Sequence, residues 1–331
     1  LYDRLVNEVA SHDICMIYHA DMYLCPNAID SIEKHLKEKT IVSLTRIEPP
    51  LHPDGPEKIL IDFGIEPEEF REDDFIEWFT KPIDSTGGYQ PKHDGPTEGI
   101  FAPSAFYKKD FQEIGGGHDE LYAPQSKEDT DIFNRFQLNG VKFTQTWRGC
   151  VYHMTCRGSR FADGAKRNPD GQVFMKNRET DEWLKQNQKS TREFIRKWGH
   201  FCKHDAYMKP IVPPKYDIGI CIKNCKDELL EILEPWCNVI HTDSDIDKYI
   251  NKENNLTSFN LNNRVKLLKE KCSSSICIKI DGNTFNQNDF QIIQQISEII
   301  QDSGEIGNFE LGNINVTIDS VTTYEKSLIN L

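Results

Sequence analysis

The chain has 331 residues, of which 37% are apolar and 28% charged, and its formal net charge is -14. This length and composition are typical of a globular protein with a substantial core and about two domains. The acidic balance argues against a nucleic-acid-binding protein, because such proteins carry clusters of lysine and arginine. Every apolar run is shorter than the roughly 18 residues of a membrane-spanning helix, and residues 1–20 lack a signal-peptide pattern. We therefore expect a cytoplasmic protein with no membrane span and no nucleic-acid partner.

The first predicted elements alternate between helix and strand. The opening LYDRLVNEVA predicts a helix already under way, so we expect a further part of the domain before residue 1. DICMIYHA predicts a short buried strand, PNAIDSIEKHLKE a helix, and TIVSLTRIE the next strand. This order predicts an α/β sheet whose ligands bind at the carboxyl ends of its strands.

The middle of the chain is less regular. Residues 49–99 are rich in proline and glycine and contain one acidic helix candidate, EPEEFREDDFIEWF. GIFAPSAFYKKDF predicts a strand and a helix, and SKEDTDIFNRFQLNG a helix that ends at Gly140. VKFTQTW and CVYHM predict two strands, and residues 172–204 are mostly helical in pattern.

The segment KPIVPPKYD is the clearest linker. After it, strand and helix patterns alternate from YDIGICI through NNRVKLLKEK, an expected helix, to NINVTID, which predicts a second, smaller α/β domain. The predicted boundaries are 1–160 for the main domain, 161–213 for a helical extension and linker, and 214–331 for the small domain, whose role the sequence leaves open.

Two groups of side chains can carry chemistry. His19 and Asp21 follow the first buried strand, where an imidazole and a carboxylate can bind a divalent cation. The alternative is a hydrogen-bonded core histidine and an aspartate that caps a turn. Glu128 and Asp129 lie in a predicted first helical turn, where carboxylates either act in catalysis or simply favour the helix dipole.

The ten cysteines show no dense framework, so we expect most of them to be reduced and buried. Cys150, His153 and Cys156 form C-x2-H-x2-C, which is three quarters of a zinc site, with no obvious fourth ligand nearby in the sequence.

In chain order, HADMYLCP, GGGHDELYAPQSKEDTDIFNRF and VYH resemble the motifs of family-2-like glycosyltransferases of the GT-A fold, with features of galactosyl- and N-acetylgalactosaminyltransferases. The resemblance covers roughly residues 10–160. It implies a GT-A-like (Rossmann-like) mixed sheet, truncated at its N-terminus because the nucleotide-binding half of that fold precedes the first motif.

The resemblance also implies roles for individual residues. Asp21 and His153 would be ligands of Mn2+ or Mg2+, and Asp129 would be the general base. Glu128 and Asp119 would orient acceptor hydroxyls. The remaining candidates for contact with donor or acceptor are His19, Glu120, Trp78 and Tyr122. The aromatic residues, Tyr89 among them, can stack on sugar faces or pack in the core.

The sequence therefore predicts a metal-dependent enzyme that moves a sugar from a nucleotide-sugar donor to a glycan or other hydroxyl acceptor, with inversion. One alternative is a non-catalytic glycan-binding or scaffold protein that retains the fold, and another is a zinc protein built on the C-x2-H-x2-C motif.

Overall fold

The computed structural model describes residues 1–154, 166–167, 173–174, 181–269 and 272–330. The chain forms two compact units, and each is made from several segments. The first unit contains Leu1–Gly117, Ile132–Leu184 and His204–Ile211, and the second contains His118–Asp131, Lys185–Lys203 and Val212–Leu331. Both units combine helices with a mixed sheet, so the predicted α/β class is confirmed.

The strands of the described residues belong to two six-stranded sheets and a short ribbon. The first sheet contains β1 (Ile14–Ile17), β2 (Met22–Leu24), β3 (Thr40–Glu48), β4 (Lys58–Leu60), β5 (Ser104–Tyr107) and β6 (Lys142–His153). The ribbon consists of β7 (Lys166–Arg167) and β8 (Val173–Phe174). The second sheet contains β9 (Ile218–Lys223), β10 (Val239–Thr242), β11 (Val265–Leu267), β12 (Ile276–Asp281), β13 (Gly307–Leu311) and β14 (Ile314–Ile318).

The α-helices are α1 (Tyr2–Arg4), α2 (Ala28–His35), α3 (Glu72–Thr80), α4 (Lys108–Gln112), α5 (Glu128–Leu138), α6 (Asp181–Trp198), α7 (Asp227–Leu233), α8 (Ile246–Glu253), α9 (Leu261–Arg264) and α10 (Gln287–Ser303). A π-helical turn, Leu5–Val9, continues α1, and single 3-10 turns cover Pro67–Glu69, Glu120–Tyr122, Glu234–Trp236 and Glu325–Leu328. None of the helices in the described part of the chain combines the length and apolar character that a bilayer span needs.

The first sheet has the order β1-β5-β3-β6-β2, with β4 beside β3. β3 is parallel to β6 and to β4, whereas β5 is antiparallel to both β1 and β3. Strands β1, β3, β4 and β6 therefore point in one direction, and their carboxyl ends lie at one edge of the sheet.

A bulge interrupts β6, which the sequence predicted as two strands. Between Leu44 and Thr45 of β3, the paired residue in β6 jumps from Thr146 to Cys150. A Cβ atom on Gly149, inside this bulge, would lie 2.6 Å from the Cβ of a serine in α2. Only glycine permits that close approach of the bulge to α2. On either side of the bulge, β6 pairs with β3, so both halves of the strand belong to the same sheet.

Aromatic packing explains the order of residues 49–99, which have few regular elements. Phe75 of α3 is fully buried, and its ring centroid lies 5.2 Å from that of Phe63 and 5.3 Å from that of Tyr152 in β6. Edge and tilted contacts of this kind stabilise beyond simple burial. The acidic segment therefore docks on the sheet through the apolar face of α3.

The second sheet has the order β11-β10-β9-β12-β14-β13. Strands β9 to β12 are mutually parallel where they pair, and β14 and β13 continue the sheet in antiparallel pairs. Alternate isoleucines of β9 and β12 enter a single apolar core. The sequence did not predict β11 or β13. The segment NNRVKLLKEK, expected to be helical, leaves the helical conformation at Val265 and continues as β11.

A buried ionic network ties α6 to the rest of the second unit. The Arg196 guanidinium, which is buried, lies 2.6 Å from Glu234 and 2.7 Å from Glu253, and Arg264 reaches the same Glu234 at 2.5 Å. Burial alone would raise the pKa of Glu234, but the charges of Arg264 and Arg196 lower it to about 2. Removing one partner of such a network typically costs about 3–5 kcal/mol.

Lys215, in the same unit, provides a test by pH. Its amino group donates to the Arg196 carbonyl at 3.2 Å, and burial, together with the charge of Arg264, lowers its pKa to about 7. An unfolded lysine titrates near about 10.4. Between these values the unfolded chain binds more protons, so this lysine makes stability rise with pH from 7 towards 10.

We therefore expect Lys215→Met to stabilise the protein most at pH 7 and progressively less at pH 8 and 9. The difference should change by at most about 1.4 kcal/mol per pH unit. Urea unfolding of wild type and variant at each pH measures it, with the exposed Lys226→Met as the control. A difference that is constant with pH would mean that Lys215 is charged in the folded state throughout.

Candidate metal centre

His19, Asp21 and His153 converge in the first unit. Their ligand atoms all lie within 4.8 Å of one another, and each side chain is partly buried. The Nε2 atom of His153 is 3.5 Å from Oδ2 of Asp21, and the imidazole centroids of His19 and His153 are 6.4 Å apart. The arrangement presents two imidazoles and one carboxylate to a common point.

Strand direction explains why these distant residues meet. His19 and Asp21 follow the carboxyl end of β1, and His153 is the last residue of β6, which points the same way. After Asp21 the chain reverses direction and forms β2, in which Met22 pairs with His153 of β6. The amide of Met154 donates to the Asp21 carbonyl at 2.9 Å, which holds the two segments together.

Glu48, the last residue of β3, lies behind the cluster. Its side chain is 1% exposed, and its Oε1 atom is 2.9 Å from Nδ1 of His153. A carboxylate in this position accepts a hydrogen bond from Nδ1–H, so that Nε2 offers its lone pair once it has lost its proton. Nε2 is the atom that faces Asp21. In protein metal sites, a carboxylate usually accepts a hydrogen bond from the ring nitrogen of the histidine that does not bind the metal.

Two basic residues compensate the buried charge of Glu48. Arg46 lies 3.1 Å and Lys58 3.4 Å from its carboxylate oxygens. Burial would raise the pKa of Glu48, but the hydrogen bond with His153 and the charges of Arg46 and Lys58 lower it to about 2. Glu48 is thus a carboxylate at neutral pH and a steady acceptor for the histidine.

The same interactions act on the candidate ligands. Burial lowers the pKa of His153, but the hydrogen bonds to Asp21 and Glu48 outweigh it, so the pKa is raised. For Asp21, burial raises the pKa and the interaction with His153 outweighs it, so the pKa is lowered. The raised pKa of His153 reflects the two carboxylates beside it, whose negative charge also attracts a cation, and the lowered pKa of Asp21 reflects the positive charge that His153 offers.

The donor set discriminates between metals. Imidazole ligands suit first-row transition metals, whereas Mg2+ prefers oxygen ligands. The two imidazoles would therefore favour a transition metal over Mg2+ at this site. Sequence reasoning did not identify Glu48, although an acidic residue at the end of an otherwise buried strand was the signal available.

The other predicted site residues that carry carboxylates lie in the second unit. Asp129, in the first turn of α5, is 75% exposed, and its carboxylate is 3.8 Å from Nε2 of His118. Glu128 begins the same helix, and Glu120 is exposed.

Asp119 accepts from the Leu121 amide at 3.0 Å and pairs with Lys197 at 2.8 Å. Structural interactions therefore already engage Asp119, whereas the carboxylates of Asp129 and Glu120 face solvent.

The aromatic candidates are packing residues to different degrees. Tyr122 exposes 1% of its surface and donates to the buried Asp131 at 3.1 Å, so its ring offers no face to a sugar, and the packing alternative holds for it. Tyr89 is buried as well. Trp78 is half-buried, with its centroid 5.5 Å from that of Phe63, and retains an exposed portion.

Strand geometry argues against a zinc site on Cys150 and His153. The two residues are three apart in β6, so their side chains lie on opposite faces of the sheet. Cys150 enters the aromatic core, whereas His153 joins His19 and Asp21. The third member of that motif, Cys156, lies outside the described residues.

Comparison of the sequence with protein-family models gives no match, and a search of curated proteins gives none either.

The structure predicts that Glu48 sets the affinity of the site without touching the ion. Glu48→Gln should weaken Mn2+ binding about 10- to 100-fold, because the imidazole loses a charged partner. Glu57→Gln is the matched control, since Glu57 pairs with the same Arg46 and Lys58. Calorimetric titration with Mn2+ measures both. Equal losses in the two variants would assign the effect to general electrostatics instead of to the histidine.

Proposed function

We propose that the protein is a metal-dependent glycosyltransferase that moves a sugar from a nucleotide-sugar donor to a glycan or other hydroxyl acceptor, with inversion. The observation that carries the proposal is the convergence of His19, Asp21 and His153 at the carboxyl edge of a mixed sheet. Asp21 and His153 are the two positions to which the GT-A resemblance assigns the metal, and they are more than 130 residues apart in sequence.

The residues of the first unit have distinct parts in this proposal. Asp21 and His153 hold Mn2+, His19 provides a third ligand or contacts the donor, and Glu48 keeps Nε2 of His153 directed at the ion. When bound, the metal supplies positive charge that stabilises a diphosphate leaving group. In a chain of charge -14, such a cation also offsets the field that opposes an anionic donor.

Asp129 is proposed as the general base on the resemblance and on its exposure. Its carboxylate is open to solvent, so it can accept the proton of an acceptor hydroxyl as that oxygen attacks the anomeric carbon. Glu128 and Glu120 are proposed to orient acceptor hydroxyls, since carboxylates accept hydrogen bonds from sugars.

The same ligand set supports a second candidate. Two histidines and one carboxylate with open positions also hold iron(II) in oxygenases. That chemistry needs no nucleotide, so the two candidates differ in what binds next to the metal. A nucleoside diphosphate that binds only together with Mn2+ favours the transferase, and strong preference for iron(II) without nucleotide binding favours the oxygenase.

Thermal unfolding tests the proposal directly. Mn2+ together with a nucleoside diphosphate should raise the Tm of the intact chain more than either alone, because both bind the folded state. Asp21→Ala should abolish this rise and any transfer activity, while the exposed Asp30→Ala in α2 should keep both. A nucleotide-dependent rise that survives in Asp21→Ala would remove Asp21 from the site. Absence of any rise in the wild type would favour a scaffold protein.

The role of Asp129 is tested separately. Asp129→Asn keeps the shape and some of the helix-capping ability of the side chain but cannot accept a proton, so turnover should fall by about 10²-fold or more. Stability should change little, as for the control Asp247→Asn in the first turn of α8. A variant that loses stability but keeps its specific activity would show that Asp129 serves the helix alone.

A further inference from the structure

The face of the second sheet opposite its apolar core carries an unexpected group of thiols. Ile220 of β9 and Ile278 of β12 enter the core. Because side chains alternate along a strand, Cys221 and Cys277 lie on the other face. Cys272, which precedes β12, completes the group, and the three ligand sulfurs all lie within 4.8 Å of one another.

The spacing of the sulfurs suits a metal ion. Sγ of Cys221 is 3.7 Å from Sγ of Cys277. Zinc binds thiolates at about 2.3 Å in tetrahedral geometry, which places two sulfur ligands about 3.8 Å apart. The observed separation is therefore that of two ligands on one ion.

Gly219 makes room for the third sulfur. A Cβ atom at this position would lie 2.4 Å from Sγ of Cys272, a distance at which any other residue would displace the thiol. Gly219 is paired with Cys277 across β9 and β12. The absence of its side chain thus creates the space in which Cys272 approaches the other two cysteines.

A histidine lies beside the group with a nitrogen that needs a partner. His241 of β10 is paired with Cys221, on the same face of the parallel sheet, and is 4% exposed. Its Nδ1 atom is buried and has no hydrogen-bond partner among the described residues. Leaving such a group unsatisfied costs about 1–3 kcal/mol, and a metal ion is one means of satisfying it.

Strand geometry disfavours a disulfide between the two closest sulfurs. Cys221 is paired with Lys279, two residues beyond Cys277. With about 4.8 Å between strands and about 6.6 Å along two residues, the Cα atoms are about 8 Å apart. Disulfides rarely exceed about 7 Å. A metal ion spans this separation, whereas a disulfide would require movement of the backbone.

We propose that Cys221, Cys272 and Cys277 bind a zinc ion in the second unit, with His241 as the fourth ligand after a rotation of its side chain. This donor set, three thiolates and one imidazole, is that of closed structural zinc sites. The site is independent of the candidate metal centre in the first unit and selects a softer ion.

Cobalt substitution tests the proposal on the intact, reduced chain. Co2+ bound by thiolates gives a sulfur-to-cobalt charge-transfer band, which the His19, Asp21 and His153 site cannot produce because it contains no sulfur. We expect one equivalent of Co2+ to generate the band and Zn2+ to abolish it. Cys277→Ser and Cys272→Ser should lose it, and the control Cys225→Ser, in the same unit, should retain it.

Each result decides the matter. Absence of the band in the wild-type protein with fully reduced thiols, or its persistence in both Cys272→Ser and Cys277→Ser, would overturn the proposal. Retention in the wild type and in Cys225→Ser alone would support it, and circular dichroism shows whether each variant is folded. His241→Ala should weaken Zn2+ binding by at least about 10-fold, and unchanged affinity would exclude His241 as a ligand.

Discussion

The burial of one carboxylate, Glu48, organises the edge of the first sheet at which His19, Asp21 and His153 meet. A carboxylate removed from water costs several kcal/mol unless charges and hydrogen bonds replace the solvent. That replacement comes from Arg46 in the same strand, β3, from Lys58 in β4 and from His153 in β6. The requirement to satisfy Glu48 therefore holds the ends of β3, β4 and β6 together. It also orients His153 before any ion arrives, so a ligand would pay little to organise the site.

The second unit also buries charge, to a different end. Glu234 receives Arg196 from α6 and Arg264 from α9, and all three side chains are buried. These charged groups interact with one another and with backbone carbonyls, so their charges are compensated within the unit. A strongly lowered carboxylate pKa occurs in both places, at Glu48 and at Glu234. Of these two ionic networks, the one around Glu48 lies beside converging ligand atoms, those of His19, Asp21 and His153.

The sequence predicted most elements with strong local patterns, including β1, α2 and β3. It failed where tertiary contacts override local preference. NNRVKLLKEK has a helical pattern, yet the chain becomes strand β11 at Val265, which is buried beside β10. The two predicted strands VKFTQTW and CVYHM are one strand, because a bulge at Gly149 absorbs the irregular residues.

The candidate sites show the same difference between residues that a local pattern reveals and residues that only tertiary contacts bring together. His19 and Asp21 are two residues apart, so a pattern search finds them, whereas Glu48 acts through a strand pairing that no sequence spacing reveals. The cluster of Cys221, Cys272 and Cys277 has no short metal-binding spacing between its first two members. It arises because β9 and β12 are neighbours in the sheet although about 50 residues separate them.

The assembly of the second unit from three chain segments limits how the polypeptide can be divided. The proline-rich segment around residue 212 looks like a natural hinge between exchangeable modules, but α6, which precedes it, contributes Arg196 to the carboxylates of Glu234 and Glu253. A fragment starting after that segment would retain both acids in its interior and lose Arg196, which leaves Arg264 as the remaining partner of Glu234. Recombination at this point would thus produce a frustrated domain, and only divisions that keep α6 with the second sheet conserve its charge balance.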